Sequence, residues 1–220
     1  MRTSLNSTNG GKIRMNGNNR RFTVLLLCSA ILLAVFFTAT ADAREYSGIY
    51  SNTLRFHVLA NSDTEEDQKL KLAVKDAVIL RISEELNQCK TKAEAEKFII
   101  ENKSAIENTA KAVVASHGAD HTVNLTLTRE YYPRRTYGDV TLPAGEYSSV
   151  RILLGEAEGQ NWWCVLFPQV CTDTATPAEE RLSQAGFTYA QIRLLTGEEK
   201  PTYKIKFKLV ELFSQLISKR

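Results

Sequence analysis

Residues 54–86 determine how the fold begins, and their sequence is LRFHVLANSDTEEDQKLKLAVKDAVILRISEEL. The first seven residues alternate weakly between apolar and polar side chains, which predicts a β-strand. The next four are polar and carry two overlapping capping boxes, in which Ser62 and Asp63 each precede a glutamate by three positions. Apolar residues then recur at helical spacing. The sequence therefore predicts a strand followed by a helix, with Ser62 and Asp63 as candidate caps.

A second helix is predicted directly after the first. Thr91 precedes a glutamate by three residues, which is another capping box. Apolar residues follow at helical spacing as far as Gly118, which suits the left-handed position after a helix end. Two capped helices with a short connection predict an antiparallel helical hairpin.

The rest of the chain is typical of a sheet. Strands are predicted at residues 123–128, 149–154 and 161–167. The last two flank a loop with glycines and predict an antiparallel hairpin. Residues 203–217 change from alternation to helical spacing, which predicts a strand and then a helix. The alternating lysines of this strand either protect a sheet edge or lie near anionic lipid. The fold class is therefore α+β: an N-terminal strand and helical hairpin, then a largely antiparallel sheet and a C-terminal helix.

The N-terminus has the layout of an export signal. Residues 1–21 are basic and rich in Asn, Gly and Ser, and we expect them to be disordered. Residues 22–43 begin with an apolar run and end in small residues, so that Ala41 and Ala43 are candidate cleavage sites. A cleaved signal peptide is predicted, and a retained membrane anchor is the alternative.

Removal of the signal changes the charge of the protein. The chain holds 28 basic and 25 acidic residues, of which residues 1–43 hold five and one. Residues 44–220, predicted to be a single exported domain, therefore hold 23 basic and 24 acidic residues. Nothing in this balance indicates binding to nucleic acid.

The cysteines allow a disulfide to be predicted. Cys164 and Cys171 flank a proline at the end of a predicted strand, and an exported protein favours a bond between them. Two free core thiols are the alternative, and Cys89 has no neighbour in sequence. The histidines at 117 and 121 are separated by a glycine that ends the helix, so no metal site is predicted.

The sequence contains no recognisable catalytic motif. A G-x-S-x-G elbow is absent, and the acidic residues at 61–67 are explained by helix capping. We therefore predict no catalytic residue and no cofactor. The alternative is a secreted hydrolase whose site includes residues 61–67 and His57.

Aromatic and arginine residues indicate a surface for a protein partner, because both are enriched at interface hot spots. Trp162 and Trp163 are adjacent on a strand and must point to opposite faces. Residues 131–139 form a predicted polar loop rich in tyrosine and arginine. The candidate contact residues are Tyr132, Arg134, Arg135, Tyr137, Trp162 and Trp163.

Four segments give the chain a family resemblance: RFHVLANSD at 55–63, YGDVTLPAGEY at 137–147, NWWCVLFP at 161–168 and FKLVE at 207–211. Together they resemble the stage II sporulation protein R family of endospore-forming bacteria. The similarity runs through residues 54–212, and Gln169 departs from it where a second proline is expected.

The resemblance implies an intercellular signalling role. Proteins of this family are exported from the forespore into the space between the two sporulating compartments. There they activate a membrane-embedded aspartic protease, which processes the pro-form of the mother-cell sigma factor. The resemblance therefore implies a protease activator and not an enzyme.

Overall fold

The computed structural model describes residues 17–170 and 176–197. The chain divides into two compact units, residues 1–44 and residues 45–220. Helix α1 spans Gly17–Ser51, so its last residues belong to the second unit. Within the described ranges, none of the helices has a stretch that is both long and apolar enough to cross a membrane.

The second unit is an α+β fold, which confirms the predicted class. Its elements after α1 are β1 (Leu54–Leu59), α2 (Glu65–Gln88), α3 (Lys92–Glu101), α4 (Lys103–Ser116), β2 (Val123–Tyr132), β3 (Arg135–Tyr137), β4 (Val140–Leu142), β5 (Gly145–Leu154), β6 (Asn161–Phe167), α5 (Ala178–Gln184) and α6 (Tyr189–Thr196). The strand and helix predicted at residues 203–217 lie outside the described residues.

Four strands form the main sheet, in the order β2-β5-β1-β6. β1 is parallel to β5 and antiparallel to β6, and β2 is antiparallel to β5. The predicted hairpin of β5 and β6 is therefore wrong, because β1 lies between them. β1 suits this central position because Leu54, Phe56 and Val58 are fully buried and make one of its faces entirely apolar.

The predicted polar loop at residues 131–139 is also wrong. β2 continues to Tyr132, and β3 then pairs with β4 as a separate two-stranded ribbon. The turn of this ribbon contains Gly138 at φ 55°, a conformation that favours glycine. Val140 and Leu142 are buried, so the ribbon packs one side against the domain.

Helix α2 begins later than the sequence predicts. Its N-cap is Thr64, whose hydroxyl accepts the backbone N–H three residues on. Ser62 and Asp63 are therefore not the caps. The Ser62 hydroxyl donates to the Asp67 carboxylate of α2, and the Asp63 carboxylate accepts the N–H of Gln160, before β6. Thr91 does cap α3, because its hydroxyl accepts the N–H of Glu94 at 3.2 Å. The Glu94 carboxylate accepts the N–H of Lys90 and not that of Thr91, so the predicted capping box forms only in part.

The second predicted helix is divided into α3 and α4 at Asn102. The side-chain amide of Asn102 donates to the carbonyl of Phe98 at 3.0 Å. Such local side-chain bonds compete with the helical hydrogen bonds and favour a break. Helix α5 begins at Ala178, with Pro177 as its N-cap.

Apolar side chains pack on both faces of the sheet. On the first face, α2, α3 and α4 bury a core that includes Leu54, Phe56, Val58, Val74, Ile82, Ile99, Ile106, Val150 and Ile152. On the second face, the end of α1, the ribbon, α5 and α6 bury another that includes Ile49, Tyr132, Val140, Leu142, Tyr147, Val165, Leu182 and Leu195. The alternation of β1 therefore sends Arg55 and His57 to the second face.

Candidate partner-contact surface

Two basic side chains lie buried on the second face of the sheet. Arg55 is 0% exposed and His57 is 2% exposed, although both belong to residue types that are seldom fully buried without a partner. The sequence motifs predict no role for Arg55. Their burial could have been inferred from the sequence, because Arg55 and His57 occupy alternate positions of a strand whose other side chains are apolar.

Arg55 lies in a cage of tyrosine rings. Its guanidinium carbon is 4.2 Å from the ring centroid of Tyr132 and 5.1 Å from that of Tyr147. Its Nη2 donates to the hydroxyl of Tyr137 at 2.7 Å. Among the described residues, Arg55 has no carboxylate partner, and its Nε and Nη1 form no hydrogen bond. Cation–π contacts therefore replace an ion pair here.

His57 connects the buried cage to the surface. Its ring stacks on Trp163 with 4.8 Å between centroids, and its Nε2 lies 3.3 Å from Oε1 of Glu130. The same carboxylate oxygen lies 3.3 Å from Nε of Arg151. Burial lowers the pKa of His57 to about 4, against the opposing effect of the Glu130 carboxylate. The imidazole is therefore neutral at neutral pH.

Three of the predicted contact residues meet at this place. The guanidinium of Arg135 lies 5.0 Å from the Trp163 ring centroid, and the Tyr132 ring lies 4.9 Å from it on the buried side. Arg135 is exposed and Trp163 is half-buried. Tyr132 is fully buried, so its predicted role as a partner contact is wrong. Burial also raises the pKa of the Tyr132 hydroxyl, which bonds to the Ser149 hydroxyl.

The other three predicted contact residues lie apart from the pair of Trp163 and Arg135. Tyr137 is half-buried and its hydroxyl is bound by Arg55, whereas Arg134 is exposed. Trp162 points to the first face, where its ring packs against Phe56 at 6.1 Å and beneath the Lys75 ammonium at 4.9 Å. The accessible candidates on the second face are therefore the exposed Arg134 and Arg135 and the half-buried Trp163.

The loop before α2 is held by a buried carboxylate. Asp67 Oδ2 accepts hydrogen bonds from the Ser62 hydroxyl at 2.6 Å and the Asn61 amide at 2.8 Å. Its Oδ1 lies 2.8 Å from Nε2 of His121. The bond from Ser62, followed by that from Asn61, lowers the pKa of Asp67 to about 2. Asp63 Oδ1 accepts the N–H of Gln160, which ties this loop to the β5–β6 connection.

This network differs from a nucleophile–base pair. Ser62 donates to the Asp67 carboxylate and not to a histidine, so no imidazole is placed to remove its proton. In the described ranges, no three His, Cys, Asp or Glu side chains gather as metal ligands. The polar residues at 61–67 connect two loops of the domain.

Two further predictions fall partly outside the described residues. Cys164 is buried in β6, but Cys171 lies outside the described residues, so their bond stays a prediction. Ala41 and Ala43 lie within α1, and cleavage beside them stays a prediction.

The domain is an α+β fold with a buried arginine in a cage of tyrosine rings and a half-buried Trp163 beneath the exposed Arg135. Comparison with known proteins assigns its family. The family model of stage II sporulation protein R matches residues 50–176, and the chain belongs to this family. The stage II sporulation protein R of Bacillus subtilis (strain 168) is 33% identical over 150 residues, which cover 67% of each chain. No solved structure matches this chain.

Proposed function

We propose that this protein is an exported sporulation signal that activates a membrane-embedded aspartic protease. The protease then processes the pro-form of the mother-cell sigma factor. The observation that supports this most is membership of the stage II sporulation protein R family. The apolar run at residues 22–37 and its flanking small residues support export.

The side-chain geometry supports a binding role better than a hydrolase. Ser62 and Asp67 are both engaged in holding a loop, and His57 is buried beneath Trp163. An activator needs only a surface that binds the active state of its partner more tightly than the inactive state. The exposed Arg134 and Arg135 and the half-buried Trp163 are the proposed contacts on the second face.

Co-expression tests the activator function. Cells would make the full chain, the candidate protease and the pro-form of the sigma factor, and cleavage of the pro-form would be followed by immunoblot. We expect cleavage only when all three are present. A chain that lacks residues 22–37 should fail, because it cannot cross the membrane. Absence of cleavage with the full chain at normal levels would reject the function.

The two adjacent tryptophans provide a matched test of the surface. Trp163→Ala removes the ring beneath Arg135, whereas Trp162→Ala removes a ring on the opposite face. We expect Trp163→Ala to reduce cleavage by about tenfold, as for an interface hot spot, and Trp162→Ala to reduce it only in proportion to lost protein. Equal cleavage by both variants at equal levels would exclude Trp163 as a contact.

A further inference from the structure

Strand β2 forms one edge of the main sheet, and part of this edge has no partner in the part of the chain that the structure describes. Within the described residues, β2 pairs only with β5. The N–H of Gly155 donates to the carbonyl of Thr122, and the N–H of Leu125 donates outward to the Glu107 carboxylate at 2.8 Å. Even-numbered residues of β2 therefore direct their backbone groups toward β5, and odd-numbered residues direct theirs away from the sheet.

The outward backbone groups are covered at only one end of the strand. Glu107 of α4 satisfies the N–H of Leu125. No described group satisfies the outward N–H groups of Leu127, Arg129 and Tyr131. Arg129 is exposed and Tyr131 is 69% exposed, so no element in the described ranges covers their side chains. An uncovered row of N–H and C=O groups is a template for another strand.

The charge at the centre of this edge is also unmatched. Arg129 lies opposite Ser148 of β5, whose hydroxyl accepts a hydrogen bond from the Lys92 ammonium at 2.9 Å. The nearest acid along β5 is Glu146, which lies opposite Tyr131 and forms no ion pair with Arg129. Arg129 thus has no carboxylate partner in the described part of the chain.

The basic side chains of the neighbouring helices differ from Arg129 in having acidic partners. Most are paired with an acid four residues away on their own helix. These pairs are Glu65–Lys69, Arg81–Glu85, Lys92–Glu96, Lys97–Glu101 and Lys103–Glu107. Opposite charges on facing residues stabilise a strand pair, so an acid in an added strand would complement Arg129.

We propose that the outer edge of β2 from Leu127 to Tyr131 binds an extended segment of the partner protein as an additional strand, with an acidic side chain opposite Arg129. The proposal rests on the proposed function, because the partner is the protease that the chain activates. Backbone hydrogen bonds from residues 127, 129 and 131 supply affinity, and the alternating side chains supply specificity. Leu127 and Tyr131 lie on the same face of β2 as Arg129, one on each side of it. In the added strand we therefore expect apolar or aromatic residues two positions before and two positions after the acid.

A proline at position 129 tests the outer edge without disturbing the pairing with β5. Arg129→Pro removes an outward N–H together with the guanidinium but leaves the bonds to β5 intact, which an edge strand tolerates. We expect it to accumulate normally and to lower sigma-factor cleavage about tenfold or more in the co-expression assay, an effect of about 1.4 kcal/mol. Thr128→Pro removes an inward N–H and should reduce protein level instead.

The charge is tested by variants that leave the backbone unchanged. Arg129→Glu should lower cleavage at normal protein level, whereas Lys111→Glu, a reversal at an exposed lysine of α4, should not. Acidic residues in the exported segments of the protease would then be changed to lysine one at a time. One of these changes should restore cleavage by the Arg129→Glu chain.

The outcomes separate the two proposals. If the wild-type chain causes no cleavage, the proposed function fails. If it does, and both Arg129→Pro and Arg129→Glu act equally well, the β2 edge is not the contact. Two differently tagged full chains would also be co-precipitated. Self-association that Arg129→Pro abolishes would assign this edge to a second copy and overturn the proposal.

Discussion

The imidazole of His57 stacks on the indole of Trp163 with an interplanar angle of 26°. Trp163 in turn lies beneath the exposed guanidinium of Arg135. The orientation of the proposed contact pair therefore depends on a buried histidine that no partner can touch directly. A change at His57 should alter both the stability of the domain and the shape of its surface.

The stability of the domain should depend on the protonation of His57. Its pKa is about 4 in the folded state, whereas an exposed histidine has a pKa of 6.5. Between these two pH values the unfolded state binds more protons than the folded state. The contribution of neutral His57 to the free energy of unfolding is therefore fully present above about pH 6.5 and falls as the pH falls toward 4. The loss should reach ~3 kcal/mol at most. Urea unfolding across this range would measure it.

The matched variant for this prediction is His57→Gln, which cannot titrate. Its free energy of unfolding should lack this part of the pH dependence, and the fluorescence of Trp163 should change less with acid than in the wild type. Identical pH profiles for the two proteins would contradict the assignment to His57.

Asp67 should stabilise the loop before α2 through its charge. Asp67→Asn removes the charge-assisted bonds with Ser62 and His121, and we expect a loss of ~2 kcal/mol at pH 7. Because the folded pKa is lowered to about 2, the wild-type contribution should disappear as the pH falls from about 4 toward 2. Asp76→Asn, at a 70% exposed side chain, is the control. Similar losses from both variants would argue against the network.

The sequence predicted the fold class, but not the partners of its strands. Alternation identifies β1 and β2 because side-chain direction depends only on local backbone geometry. The insertion of β1 between β5 and β6 depends on contacts between residues 94 to 113 positions apart, and no local pattern encodes those. The burial of Tyr132 could not be predicted for the same reason. It results from packing against Trp163 and Tyr147, whereas the sequence neighbours of Tyr132 are polar.

Arg55 should tolerate an apolar replacement better than a lysine. The guanidinium plane lies against tyrosine rings, and a buried ammonium would have neither this stacking nor a carboxylate among the described residues. We therefore expect Arg55→Met to remain closer to the wild-type melting temperature than Arg55→Lys. Thermal melts of residues 44–220 would compare them. A more stable lysine variant would show that charge, and not stacking, holds the cage.

The segment just after the predicted cleavage sites should be part of the fold. Ile49 of α1 is fully buried in the second core, and the Tyr50 hydroxyl donates to the Ala144 carbonyl at 2.9 Å. Cleavage after Ala41 or Ala43 would retain these contacts, whereas a cut beyond Ser51 would remove them. Ile49→Ala should therefore cost about 2 to 5 kcal/mol of unfolding free energy by leaving a cavity.

Ile100 provides the matched control for this substitution, because the same side chain is 61% exposed at the end of α3. Ile100→Ala should change the unfolding free energy by no more than about 0.5 kcal/mol. Urea unfolding of residues 44–220 measures both variants. If Ile49→Ala were as stable as Ile100→Ala, the end of α1 would contribute no packing energy, and a cleavage site beyond it would be compatible with a stable domain.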